Sequence, residues 1–250
     1  MNALKTLQDA HIKKLRLLKN QDGPFEPTHF LVEGQHLVDH ALNAGVLESV
    51  YVLDHTLNFP SDIKMFVCDP HVFAAISNQK TPQGIIGLCR KIKTQFPLGN
   101  TMVYLDQIND PGNVGTILRT SLGLGITTVI FSPNTANRYQ PKVIASSQGA
   151  MFGLNLLVDQ EDGALLKQYH QEGYHIVTTN LSTKAIPLQH YRFQEKNILV
   201  VGNESHGVRP SIAALSDGEV TIPMKNIDSL NVAVAFAIIA YRCLQYKPAS

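Results

Sequence analysis

Apolar residues along this chain fall into short runs that alternate with stretches of helical period. "HFLVEG" has the compact apolar centre of a strand, and "QHLVDHALNAG" spaces its apolar residues as an amphipathic helix does before Gly45 closes it. "LESVYVL" and "IKMFVCD" read as strands, "PHVFAAISNQ" as a helix and "QGIIGLC" as a last strand, together a small α/β layer. At "KIKTQFPLGNT", residues 91 to 101, basic and turn-forming residues interrupt the pattern, which places a domain boundary near residue 97. Beyond it the strands "MVYL", "TTVIFS", "GLNLLV", "YHIVTTN", "NILVVGN" and "EVTIPM" are separated by helical stretches. Nearly unbroken apolar strands alternating with helices predict an α/β fold with a mostly parallel sheet covered on both faces.

The length of 250 residues and the 44% apolar content allow one large domain or two smaller ones with a real core. No run approaches the roughly 18 apolar residues of a membrane span. The N-terminus has no apolar stretch behind its basic residues, so the expected setting is cytoplasmic, away from membranes. Cys68, Cys89 and Cys243 are odd in number and lack ligand spacing, which suggests buried thiols and neither a disulfide framework nor a metal site. The net charge of +1 leaves a nucleic-acid partner open. Residues 10 to 21 gather Lys13, Lys14, Arg16 and Lys19 without an acid, either a solvated helix face or one that meets phosphates.

Ligands of parallel sheets bind beyond the carboxyl ends of strands. Three segments there carry unusual polar residues: "NDPGNVGTILR", "GNESHGV" and "PMKNIDSLN". Dinucleotide binding is not indicated, because Gly123 and Gly125 in "LGLGIT" lack a third glycine and close a helix. Ser205 sits in G-x-x-S-x-G, not in the G-x-S-x-G of a nucleophile elbow. His36 and His40 have ligand spacing but no third partner in view, and Glu33 is assigned no chemistry. In the first segment Asn113 opens a helix, Gly115 admits a close approach, and Arg119 is read as lying on the apolar side. A buried arginine needs either a carboxylate or an anion brought to it. Glu204 lies between Gly202 and Gly207, just past a strand. Ser229 is expected to cap the last helix, Asn231 follows, and that helix is apolar almost all round and so expected to be buried.

In this order, "DPGNVGTILRT", "VVGNESHGV" and "IPMKNIDSLNVAVA" resemble the three motifs of the SpoU family of RNA ribose methyltransferases, in the SPOUT class. "IASSQGAMFGLNL" is similar to the family's central segment. "FLVEGQHLVDHAL" and "ISNQKTPQGIIGL" are similar, more weakly, to the small substrate-binding domain that many rRNA-modifying members carry. The resemblance implies an RNA-binding domain over residues 1–97. It also implies a methyltransferase domain over 98–250 with a deep trefoil knot, which threads the chain where ordinary folds do not. It implies S-adenosyl-L-methionine as cofactor, with Gly202, Ile222, Met224 and Leu230 flanking the adenine, no metal, and a homodimer through the C-terminal domain. Arg119 would grip an RNA phosphate and polarise the ribose 2′-hydroxyl, a safer role than general base for a group of such high pKa. Asn113 would hold Arg119 and the ribose, Glu204 would pair with Arg119 or Asn113, and Ser229 and Asn231 would orient the hydroxyl and the cofactor loop. Asn226 stands where many members have glycine, and asparagine tolerates the left-handed conformation. The extra N-terminal domain and short C-terminal tail favour rRNA over tRNA as substrate. A noncatalytic RNA-binding or assembly protein is the reading from another class.

Overall fold

The computed structural model describes residues 2–4, 6–20, 28–93, 96–179, 184–227 and 229–245. Asn180, at the end of the run "YHIVTTN", Gln21 in the basic N-terminal stretch, Asp228 in the third motif and the tail 246–250 lie outside the described residues. The first half runs β1 (Asn2–Leu4), α1 (Ala10–Asn20), β2 (His29–Glu33), α2 (Gln35–Asn43), β3 (Leu47–Val52), β4 (Lys64–Cys68), α3 (Pro70–Ile76) and β5 (Ile85–Arg90). Its sheet has the order β1-β4-β3-β5-β2, parallel from β1 to β3, with β5 antiparallel to both neighbours. The apolar periods explain the helices. α2 buries Leu37, Val38 and Ala41 and ends where Gly45 turns left-handed (φ 66°), and α1 buries Ile12 and Leu15 while Lys13, Lys14 and Arg16 face solvent.

The second half runs β6 (Thr101–Asp106), α4 (Pro111–Gly123), β7 (Thr128–Phe131), α5 (Pro141–Ser147), a 3-10 turn (Ala150–Gly153), β8 (Asn155–Val158), α6 (Ala164–Gln171), β9 (His175–Thr179), β10 (Ile186–Pro187), β11 (Asn197–Gly202), α7 (Pro210–Ala213), β12 (Gly218–Thr221) and α8 (Val232–Gln245). These strands form one sheet, β10-β12-β9-β11-β6-β7-β8, parallel at every pairing. Its centre is the β11–β6 pair, with Gly202 in register beside Asp106. From β6 the chain moves one way across the sheet, and β11 lies on the other side, so the loops leaving both strands meet at a topological switch point.

One hydrophobic core joins the halves. Phe30 of β2 stacks on Tyr139 at 4.6 Å and faces Phe152 at 6.3 Å, while His36 meets the Gln148 carbonyl at 3.3 Å. Inside the second half, α5 presses on α4 at Gly115, where a Cβ would stand 2.4 Å from that of Ser146 and 2.6 Å from the Val143 carbonyl oxygen. The close approach expected at Gly115 is therefore made by a helix. All three cysteines are buried free thiols, and among the described residues no helix is long and apolar enough to cross a membrane.

Two readings of helix faces need correction. Arg119 is exposed, because the face α4 buries is Val114, Ile117, Leu118 and Ser121, and Arg119 sits one helical step past it. The last helix is buried on one side only: Phe236, Ile239 and Cys243 face the core, whereas Val234, Ile238, Tyr241 and Leu244 form an exposed apolar stripe.

Candidate active site

Past its last residue, β6 enters the first motif through a rigid corner. Asp106 is wholly buried and accepts from the Arg209 backbone N–H at 2.8 Å, from its Nε at 2.8 Å and from its Nη2 at 2.5 Å. Arg209 also spans to Asp162, at 2.6 and 3.0 Å. Burial opposes the guanidinium's charge, but the hydrogen bonds it donates to both carboxylates outweigh this and raise its pKa above the ordinary arginine value. This pair locks the end of β6 to the residue that follows the second motif. Asp110 then caps α4, accepting from the Asn113 backbone N–H at 2.8 Å and from Lys142 at 3.1 Å; these bonds hold its carboxyl below the usual range.

The three sequence motifs converge on the Asn113 side chain. Its Nδ2 donates to Glu204 Oε1 at 2.8 Å, and its Oδ1 accepts from Asn231 Nδ2 at 2.9 Å. Asn231 in turn caps α8, its Oδ1 accepting from the Ala233 N–H at 2.9 Å. Hence Asn231, not Ser229, is the cap of the last helix. Glu204 pairs with Asn113, one of its two expected partners, and not with Arg119.

Beside this chain lies a cleft of about 460 Å³. Gly202, Ile222, Met224, Leu230, Ser229 and Glu204 all line it, with Thr179, Asn203, Val220 and Ile239 among the remaining walls. Gly202 is required sterically, since a Cβ there would stand 2.2 Å from the Val208 nitrogen and 2.3 Å from the Gly207 carbonyl carbon. The turn over it is closed by the Gly207 N–H to Asn203 carbonyl bond of 2.9 Å, with Gly207 left-handed at φ 70°. Asn203 carries more than its place in the motif suggests: its amide donates to the Gln107 carbonyl at 2.9 Å and its Oδ1 accepts from the Ser205 N–H at 2.9 Å. In the third motif, between Met224 and Ser229, Asn226 adopts φ 66°, the left-handed conformation that asparagine tolerates. Apolar side walls with backbone groups at the turns suit a flat heteroaromatic ring read through its edges.

Arg119 lies elsewhere. Six residues beyond Asn113 on α4 means about 9 Å along the axis and about 240° around it. It lines a second groove, of about 620 Å³, with His40, Asn43, Phe96, Gly123 and Gln148. Among the described residues no carboxylate forms an ion pair with it. His36 and His40 pack edge to face at 4.6 Å, and His40 stacks on Phe152, so both histidines serve the junction between halves. Glu33 accepts from Ser77 and from the Asn78 N–H at 2.8 Å, a structural role in the first half. Asp106 and Arg209 escaped the sequence reading, because nothing local marks a buried pair 103 residues apart.

The parallel seven-stranded sheet with a loop-lined cleft at its switch point is the fold of the SPOUT-class α/β methyltransferases. The chain belongs to the SpoU rRNA methylase family, whose model matches residues 100–241. Residues 9–87 match the MRM3-like substrate binding domain. The chain is 30% identical over 247 residues to the 23S rRNA (guanosine(2553)-2′-O)-methyltransferase RlmP of Bacillus subtilis, covering 96% of this chain and 98% of that one. A TrmH-family protein from Porphyromonas gingivalis superposes with a TM-score of 0.83 at 28% identity, over 95% of this chain and 98% of its own. The fold is also that of the SpoU methyltransferase AviRb from Streptomyces viridochromogenes in complex with AdoMet. Here the TM-score is 0.82 at 21% identity, over 95% of this chain and 98% of that one.

Proposed function

We propose that this protein transfers a methyl group from S-adenosyl-L-methionine to a ribose 2′-hydroxyl of rRNA, acting in the cytoplasm as a homodimer through its C-terminal half. The observation that carries the reading is the Asn231–Asn113–Glu204 chain, which ties all three motifs together at the mouth of the Gly202 cleft. Gly202, Ile222, Met224 and Leu230 would hold the cofactor, which when bound supplies a sulfonium methyl group. The relative in Bacillus subtilis is named for 2′-O-methylation of a guanosine in 23S rRNA, which supports rRNA as the substrate. Three buried free thiols suit a reducing compartment.

A ribose hydroxyl is a poor nucleophile, so the protein's task is alignment and an exit for the proton. Arg119, exposed and with no ion pair among the described residues, grips an RNA phosphate and polarises the hydroxyl next to it; it stays charged throughout. Asn113, held from both sides, orients the ribose. Ser229, on the cleft wall, steadies the hydroxyl and the cofactor loop. Arg119 does not line the cleft of its own chain. The apolar stripe of α8, Val234, Ile238, Tyr241 and Leu244, supplies a surface through which a second copy completes the site.

The test mixes the protein with methyl-labelled S-adenosyl-L-methionine and rRNA or tRNA from cells lacking the gene, then digests with alkali. Label in alkali-resistant dinucleotides of rRNA is expected. The same label in tRNA would replace the substrate, and none in either pool would sink the reading. Arg119→Ala should abolish labelling while calorimetric binding of S-adenosyl-L-methionine survives; loss of that binding from a folded variant would move Arg119 to the cofactor. Ile238→Lys should lower the mass found by light scattering from dimer to monomer.

A further inference from the structure

The first half of the chain meets the second at the groove that Arg119 lines. From α2 come His40 and Asn43, from the end of α4 Arg119 and Gly123, and from the connection between halves Phe96. We infer that this groove seats the RNA nucleotide that flanks the methylated one, its base on Phe96 and its phosphate between Arg119 and His40. The inference rests on the methyltransferase reading above and extends it to how the first half shares in substrate binding.

Three observations carry it. The groove, about 620 Å³, falls within the roughly 300–1,000 Å³ of sites that enclose small organic ligands, and none of its lining residues is acidic. Its cationic and amide groups therefore present donors to a phosphate without a competing carboxylate. Second, its walls are built to stay in place. The Phe96 backbone is clamped by buried Asn155, which accepts from the Phe96 N–H at 3.1 Å and donates to its carbonyl at 2.8 Å, so the main chain that carries the half-buried ring is fixed. His40 rests on the left-handed Gly149, where a Cβ would stand 2.7 Å from the imidazole, and lies parallel to Phe152 within 5°. Third, the floor at Gly123 is open: a Cβ there would meet nothing within 4 Å. Single-stranded RNA is read by splaying bases onto aromatic faces and holding the backbone with cations, and this groove offers both within one depression.

That open floor permits a clean obstruction. Gly123→Trp starts from a position where a Cβ meets nothing within 4 Å and puts an indole into the groove, and replacing a helical glycine does not weaken the helix. Phe96→Ala removes the platform, and Phe96→Tyr restores it. Methylation of rRNA from cells lacking the gene would be followed against RNA concentration, with calorimetric binding of S-adenosyl-L-methionine and light scattering on each variant. For Phe96→Ala the KM for RNA should rise about 5- to 150-fold, the equivalent of one lost base stack, with kcat little changed. Phe96→Tyr should return it, and Gly123→Trp should raise it at least as far with cofactor affinity and mass unaltered. Wild-type kinetics from Gly123→Trp would overturn the inference, as would a fall in its mass, which would make the groove a contact between copies. If the wild-type protein labels no RNA at all, the methyltransferase reading itself fails, and the inference with it.

Discussion

Removing the Arg209 side chain should cost the protein stability and its cofactor site together. Asp106 is fully buried, and in the wild type its two oxygens accept from the Arg209 backbone, Nε and Nη2. Arg209→Met keeps an unbranched apolar stem and the backbone bond but takes away the guanidinium and its charge. Stripping one partner from a buried ion pair costs about 3–5 kcal/mol. The surviving backbone donor argues for the lower end, about 3 kcal/mol, and the half-exposed arm to Asp162 adds less than about 1 kcal/mol. For a chain of this size each kcal/mol moves Tm by about 2–4 °C, so the melt should fall by roughly 6–12 °C. Circular dichroism melts at fixed pH measure this, and calorimetric titration with S-adenosyl-L-methionine should weaken in parallel, because Arg209 anchors the turn over Gly202. Asp106→Asn combined with Arg209→Met leaves no unpaired buried charge, only the part-exposed Asp162, and should recover part of the loss. An Arg209→Met melt within about 2 °C of wild type would refute the reasoning. So would a double variant no more stable than Arg209→Met alone.

Gly202→Ala should lose S-adenosyl-L-methionine binding and about 1–3 kcal/mol of stability, because the added methyl meets backbone at 2.2 Å, which cannot rotate aside; unchanged binding by calorimetry would show that the turn can yield. His175 gives a pH dependence: burial disfavours its imidazolium and lowers its pKa below the ordinary 6.5, although Asp217 at 3.5 Å opposes this. The unfolded chain then takes up the proton first, so stability is full above the unfolded pKa and is lost as pH falls through it towards the folded one. Between pH 7.5 and about 5.5 wild type should therefore lose more Tm than His175→Gln, and equal losses would contradict the assignment.

The strands were legible because each is a compact apolar run, and a parallel sheet buried on both faces leaves that mark. β1 and β10 were not, since three and two residues carry no period and form only because β4 and β12 offer an edge. Asn113, Glu204 and Asn231 could be picked out by order and spacing, and the fold brings them into one hydrogen-bonded chain. Arg119 was misplaced because "TILRTSLGLG" mixes its Ile and Leu with small polar residues and glycine without a clean stripe, so that only contacts with α5 and α8 decide which face turns inward. The same ambiguity hid the outward stripe of α8. Capping by Asn231 in place of Ser229 turned on two residues of helix start, set by the bond to Asn113, 118 positions away.

The core shared by both halves makes the molecule a caliper. Swinging one half away from the other would bring Phe30, Tyr139 and Phe152 into water, at about 1.5–3 kcal/mol for each ring. For the three that is roughly 5–9 kcal/mol, so fewer than about one molecule in several thousand is open at any moment. The span between the first half and the Gly202 cleft is thus a constant of the protein. An RNA whose helices and loops match that span is engaged as it is, and one that does not must itself be bent or refolded, at its own energetic expense, before its ribose arrives at the methyl donor.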